Sequence, residues 1–338
     1  MTEPRETIHE DLDFHVGKKV VGFYEIFNGN IPFNDIVCHY RHDPREVTTI
    51  VYEDKAEKAR VLPTPELDGF RYNMVKRKMK EARDAKRMFN NGSQIGLHDW
   101  MLADEDSEHP RVELWMMPSY FFDLAGLNHC VDVPELDDGK GGKTTVRQAY
   151  IKNPISFRDV LPNNIGVNTS VISSDGQFIF MNRGNINMQY PNTVGVPAGF
   201  MSADKDRIDG VPNPFMTAKR ETTEEAGGAA VRADIRDFRL VQIGRPVTGK
   251  TGDLHAEISM TLESKATADE ILKSPRTGKY EGKLFAVPAE PRKVAPYMAK
   301  PEKWVPAHWA VTALHLLRKF PEEEVVQALN EAEPLPEQ

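Results

Sequence analysis

Cysteine is nearly absent from this chain. Cys38 and Cys130 are the only two in 338 residues, far apart and without CxxC spacing. That excludes a cysteine-based zinc site and a disulfide framework, and it suits a reducing cytoplasm. Long apolar runs are missing too, since no stretch approaches the roughly 20 residues that a membrane span requires. The polar, acidic start MTEPRETIHEDLDF does not read as a secretory leader. Nor is there an excess of positive charge: 43 Lys and Arg stand against 51 Asp and Glu, a formal net charge of −8. Nucleic-acid binding by the surface as a whole is therefore not expected. These absences point to a soluble cytoplasmic protein with no membrane partner, long enough for two domains or for one core with a large elaboration.

What is present alternates between strand and helix signals. KKVVGFYEIF and REVTTIVYE predict a small sheet near the start. YNMVKRKMKEARDAKRMF (72–89) predicts an amphipathic helix with Met74, Met79, Ala82 and Phe89 near one side and seven Lys or Arg against two acids. A solvated face is the default for such a run, and a clamp for anionic substrate is the alternative. RVELWMMPSYFF (111–122) predicts a buried strand, and DDGKGGK (137–143) a flexible polar loop. A boundary near 150–160 would divide an α+β N-terminal domain (1–155) from a second domain (156–325), followed by a polar tail (326–338). In the second domain, IGVNTSVISSDGQFIFMNRG (165–184) reads as two strands around Asp175-Gly176. TVGVPAGF (193–200), RLVQIGRP, LHAEISMTLES and KLFAVPAE read as further strands, TADEILKS as a helix. PAHWAVTALHLLRKF (306–320) predicts a helix with Trp309, Ala313 and Leu316 or Leu317 inward. Such alternation indicates an α/β core with helices on both sheet faces.

The chemistry concentrates in RETTEEAGG (220–228). Asn213 and Pro214 mark the start of a helix and Gly227 its end. Phe215, Ala218, Thr222 and Ala226 would face a core, while Glu221, Glu224 and Glu225, at i, i+3 and i+4, share one stripe. A helix C-terminus disfavours each acid by roughly 0.3–1 kcal/mol. Two partly buried carboxylates about 5 Å apart repel by about 3 kcal/mol. Either the stripe is solvated, with Arg220 relieving Glu224, or a divalent cation offsets the repulsion, Mg²⁺ or Mn²⁺ being suited to carboxylate oxygens and phosphate.

These residues resemble the second half of the Nudix box, in which Arg-Glu, two residues, Glu-Glu, one residue and Gly follow one another. Arg220, Glu221, Glu224, Glu225 and Gly227 fit, although Thr222 stands at a usually aliphatic position. The resemblance covers roughly 160–300, about 40% of the chain. It implies an α/β/α sandwich with a mixed sheet, preceded by the α+β N-terminal domain. The box departs at its opening, where Asp206 and Pro212 stand in place of the family's Gly and Glu. The better match, Gly199, lies 21 positions ahead of Arg220 instead of 14, so a lengthened loop carrying DKDRIDG is expected. The resemblance implies that Glu221, Glu224 and Glu225, with the Gly199 carbonyl, hold Mg²⁺ or Mn²⁺ for pyrophosphate cleavage, while Arg220 positions the glutamates.

The general base is open between Glu281 in GKYEGKLF and Glu257 in HAEIS, with an ordinary strand or surface glutamate as the plainer reading of each. GRPVTGKT (244–251) spells a phosphate-loop pattern, but the alternating segment GDLHAEISMTL follows where that loop needs a helix. It reads as an inter-strand loop, with Arg245 or Lys250 as candidates for substrate phosphate, as is Arg183 in the hairpin. Phe89, Asn90, Gly92, Tyr120 and Asn128 weakly resemble the region ahead of the catalytic domain in UDP-glucose-type Nudix pyrophosphatases. Trp100, Trp115, Tyr120 and Phe121 could present a face to a base, though core packing is their common use. The implied substrate is a nucleoside diphosphate linked to another moiety, UDP-sugar ahead of ADP-ribose or a dinucleotide. The other class is a non-catalytic nucleotide sensor or regulator. A homodimer is common in the family, and nothing in the sequence tests it.

Overall fold

The computed structural model describes residues 14–40, 48–52, 55–59, 62–85, 89–104, 110–151, 160–185, 189–228, 232, 234–246, 254–277 and 282–335. The chain opens with a hairpin of β1 (Phe14–Val16) and β2 (Lys19–Val21). β3 (Phe23–Pro32) and β4 (Ile36–Tyr40) follow, then the hairpin β5 (Thr48–Tyr52) and β6 (Lys55–Ala59). Helix α1 (Pro65–Asp84) starts two turns before the amphipathic run suggested, because Thr64 accepts from the Leu67 N–H and Pro65 fills the first turn. β7 (Ser93–Ala103) and β8 (Arg111–Tyr120) pair antiparallel, and β4 joins β8 in parallel. The buried strand expected through Phe122 stops at Tyr120, where the chain turns into α2 (Phe121–Gly126). The segment expected as a flexible loop is the tip of a hairpin of β9 (Leu136–Asp137) and β10 (Lys143–Thr144). Asp138 orders it by accepting the N–H groups of Lys140 and Gly142, each at 2.8 Å.

The larger sheet is built on β11 (Ile165–Ile172) and β12 (Gln177–Arg183), the expected hairpin. β13 (Val194–Gly195) pairs with β12, and β14 (Ala198–Phe200) with β11. The DKDRIDG insertion forms a small hairpin, β15 (Arg207–Ile208) and β16 (Val211–Pro212). Asp209 and Gly210 at its tip both have positive φ, as a tight two-residue turn requires. Helix α3 (Pro214–Ala226) is the acidic helix, and β17 (Phe238–Pro246) and β18 (Ala256–Glu263) come next. Residues 247–253, most of the phosphate-loop spelling, lie outside the described residues, and the described chain resumes at Leu254 ahead of β18. α4 (Ala268–Lys273) and β19 (Gly282–Pro288) follow as expected, then α5 (Pro291–Met298), α6 (Pro306–Lys319) and α7 (Glu322–Glu331).

The sheet order is β13-β12-β11-β18-β17-β3, with β14 on β11 and β19 on β12. β11 and β18 run parallel while their neighbours are antiparallel, which makes the sheet mixed. Alternation sends side chains to two layers. Val167, Val171, Ile179 and Met181 meet Phe215, Ala218 and Ala226 of α3, whereas Ile172, Phe178 and Phe180 meet Trp309, Ala313 and Leu316 of α6. The result is an α/β/α sandwich. β3, from within residues 1–155, forms one edge of this sheet. Ile95, Leu97, Leu114 and Met116 of the smaller sheet share the core under α3. The tail expected to be polar from 326 begins inside α7, which buries Val325, Ala328 and Leu329. No helix among the described residues is long and apolar enough to cross a membrane.

Candidate functional site

The site grows from the two ends of α3. Asn213 accepts the Phe215 N–H at 2.9 Å, and Pro214 follows at the first helical position. Gly227 ends the helix with φ +94 and ψ 157, a positive φ as expected, although ψ is extended. Phe215, Ala218, Thr222 and Ala226 are all buried, which fixes the rotation of the helix and hence where its acids point.

The three acids separate. Glu224, its side chain 40% exposed, stands 3.6 Å from Arg220 Nη1. Glu225 is 1% exposed and accepts the Ala198 N–H at 2.9 Å, tying the last turn to β14. Glu221 faces a cavity of about 230 Å³, lined also by Gly199, Gly166, Arg183, His255, Glu257 and His308. The space for these carboxylates comes from glycine. A Cβ on Gly199 would overlap the Glu221 carboxylate, and one on Gly166 would lie 2.6 Å from Glu257 Oε1. Gly199 is paired with Val167, next to Gly166, and Gly166 with Glu257. One helix acid and one strand acid thus cover adjacent positions of the same sheet.

Each carboxylate is held. Arg220 Nη1 donates to Glu221 Oε1 at 2.5 Å, and Arg220 Nε and Nη2 donate to Asp206, each at 2.8 Å. Burial works against the Arg220 charge, but the hydrogen bonds and charges of Asp206 and Glu221 outweigh it and raise its pKa above the ordinary value. Asp206, 1% exposed, also accepts from the Ser202 N–H and Thr217 Oγ1. It braces the loop that carries DKDRIDG ahead of α3. Glu257 accepts from Asn168 Nδ2 at 3.0 Å and meets His255 Nε2 at 2.6 Å. With Glu257 ionised, that nitrogen carries the imidazole proton.

No family model matches this sequence, and no curated protein matches it. Solved structures match in part. One is a bifunctional NMN adenylyltransferase/ADP ribose pyrophosphatase of Francisella tularensis, complexed with AMP and a Mn ion, at 13% identity and TM-score 0.34. It overlaps 46% of this chain, and this chain spans only 42% of that one. A MutT protein of Methanosarcina mazei Go1 matches at 15% identity and TM-score 0.31, over 46% of this chain and 94% of its own. A Nudix hydrolase of Alicyclobacillus acidocaldarius matches at 17% and 0.33, over 51% and 98%. Overlaps this loose carry no argument about chemistry, so the site is read from its own geometry.

The remaining candidates disperse. Arg183 lines the cavity. Arg245 is buried in β17, its Nη2 3.2 Å from Asn163 Oδ1, and it does not line the cavity. Tyr120 ends β8, its carbonyl accepting from Asn164 Nδ2, and is likewise outside the lining. Trp100 packs on Phe27 and Trp115 stacks on His39 at 4.8 Å, so neither ring offers a face to this cavity. Asn128 donates to the Leu254 carbonyl. Glu281 and Lys250 lie outside the described residues.

Sequence reasoning missed Asp206 as a brace, Asn168 as the donor that holds Glu257, and His255 and His308 as cavity groups. HAEIS did hold a signal: His255 and Glu257, two apart on a strand, share a face. Asn168 and His308 carried none, since a polar residue in an apolar strand or helix usually reads as a satisfied core group. Among the described residues no group of three or more His, Cys, Asp or Glu is placed to hold a metal ion. The donors that do line the cavity, two carboxylates and the Gly199 backbone, are hard oxygens. They fit an ion that takes one or two carboxylates and completes its shell with water and phosphate.

Proposed function

We propose that this protein is a Mg²⁺- or Mn²⁺-dependent hydrolase of the Nudix type. Its substrate would be a nucleoside diphosphate linked to another moiety, UDP-sugar ahead of ADP-ribose or a dinucleotide, cleaved at the phosphoanhydride. The observation that carries the reading is the convergence of Glu221 and Glu257 on one cavity, each lying against a glycine. Two acids facing one hollow disfavour each other's charge, and a shared cation removes that cost.

Glu221, with Glu225 behind it and the Gly199 carbonyl beside it, would hold the ion; Glu224, part-exposed beside Arg220 and outside the cavity lining, would join by turning toward it. A divalent ion there supplies neutralisation of phosphate oxygens and a more acidic water. Arg220, clamped by Asp206, keeps Glu221 turned toward the hollow. Glu257 is the base the geometry favours. Its Oε1 and Oε2 are oriented by His255 and Asn168, so it presents a fixed carboxylate to a water at the phosphorus and accepts the proton as the oxygen attacks.

The test is turnover of a panel of UDP-sugars, ADP-ribose and dinucleotides, read as phosphate released after phosphatase treatment. With Mg²⁺ the wild type should turn over at least one class, and chelation should abolish it. Glu257→Gln should lower kcat about 100-fold or more, and Glu225→Gln should also reduce it. Equal turnover by wild type and both variants would remove the assignment. Nucleotide binding without any turnover would make the protein a sensor.

A further inference from the structure

Among the described residues Arg183 has no carboxylate counter-ion. It lines the cavity, its Nη2 donates to the Gln189 carbonyl at 3.3 Å, and no carboxylate among the described residues lies within ion-pair distance. Its Nε is buried with no hydrogen-bond partner among those residues. A buried cationic donor left unmet costs free energy unless a ligand meets it.

His308 stands beside it. The Val196 N–H donates to His308 Nδ1 at 3.1 Å, so the neutral ring carries its proton on Nε2 and is a donor there. Burial, with the Arg183 charge, pushes its pKa well below the ordinary value and keeps it neutral. The ring and the Arg183 stem converge over Gly195, where a Cβ would lie 2.7 Å from His308 Nδ1 and 3.3 Å from Arg183 Cδ. The cavity therefore has two chemically different sides. One is acidic, at Glu221 and Glu257, and reaches an anion only through a cation. The other carries one charged and one neutral donor and reaches an anion directly.

We propose that Arg183 and His308 form a metal-independent subsite for the second phosphoryl group of the diphosphate, the one turned away from the carboxylates. This rests on the hydrolase reading for the identity of the substrate, but not for the existence of the subsite. A charged donor suits an oxyanion better than a base carbonyl, which commits the pair to phosphate. Selection of diphosphates over monophosphates follows, because a monophosphate can occupy only one side.

The experiment is calorimetric titration of the full chain with inorganic diphosphate and with inorganic phosphate, in chelator. Diphosphate should bind the wild type without metal and more tightly than phosphate. Arg183→Gln should weaken diphosphate about tenfold or more, the loss of one charge-assisted hydrogen bond. His308→Asn, which keeps an acceptor for the Val196 N–H, should weaken it severalfold. Should Arg183→Gln lower the melting temperature, Arg183→Lys replaces it and should still lose affinity. Diphosphate affinity that is unchanged in the Arg183 variant, or that vanishes in chelator, would overturn the subsite. Arg183-sensitive binding of an uncharged nucleoside instead of diphosphate would also overturn it. Arg183-dependent diphosphate binding without nucleotide turnover would sink the hydrolase reading and leave the subsite standing; turnover with Arg183-independent affinity would do the reverse.

Discussion

Thr222 is fully buried in the face of α3 that meets the sheet. Its Oγ1 has no hydrogen-bond partner among the described residues. A desolvated hydroxyl without a partner costs about 1–3 kcal/mol, and valine has nearly the same shape. Thr222→Val should therefore stabilise the fold by about 1 kcal/mol, seen as a rise in the urea midpoint at unchanged slope. The same residue scale explains why the acids of RETTEEAGG behave differently. A one-residue step along a helix turns a side chain by about 100°, so Glu224 is part-exposed beside Arg220 while Glu225 is sealed against β14.

At the scale of elements, the site is a contact between the end of α3 and the strand β14. The Gly199 position leaves the room that the Glu221 carboxylate fills. Gly199→Ala should displace Glu221 and lower kcat on the order of 100-fold. The far-ultraviolet spectrum should stay native, because Gly199 has an ordinary negative φ. A second element, α6, sets the acid limit of the fold. His315 on it is buried beside Ser170 Oγ, 3.0 Å from its Nδ1. Burial, with repulsion from Lys319 and Arg318, lowers its pKa from 6.5 to about 3. In that interval the unfolded chain takes up the proton and the folded chain does not. Stability is thus intact above pH 6.5 and falls as pH drops toward 3, by up to about 1.4 kcal/mol per pH unit. His315→Gln should flatten this acid limb, read as the difference in unfolding free energy between about pH 7 and pH 4.5.

At the scale of the whole molecule, residues 1–155 and the larger sheet are not independent in packing. β3 closes one edge of that sheet by pairing with β17, and the core under α3 takes Phe27, Ile31, Ile95 and Leu97 from the N-terminal side. A fragment beginning at 156 would expose an unpaired strand edge and an apolar face. It should be recovered aggregated or molten, whereas the full chain should unfold in one transition by calorimetry. Two cooperative transitions would show that the halves fold separately.

Local patterns were legible without any structure. The caps of α3, the hairpin turn at Asp175-Gly176, the strands β11, β12, β17, β18 and β19 and the inward face of α6 are each written within a few consecutive residues, because hydrogen bonding and side-chain period act over that range. β3 was read into a separate small sheet, and TVGVPAGF as one strand where two short ones pair with different partners. The starts of α1 and α2 and the hairpin tip at Asp138 were missed where one capping or turn contact outweighed composition. The acidic cluster was visible too, but not its division of labour. Asp206 reaches Arg220 from within the insertion, Glu257 reaches the cavity from another strand, and Arg183 on β12 meets His308 on α6. Those placements depend on the mixed sheet bringing distant segments into register, and long-range packing leaves no periodic trace in the chain. Sequence alone determined that acids would crowd one helix end beside a glycine; the tertiary structure decided which of them share a hollow, and with what.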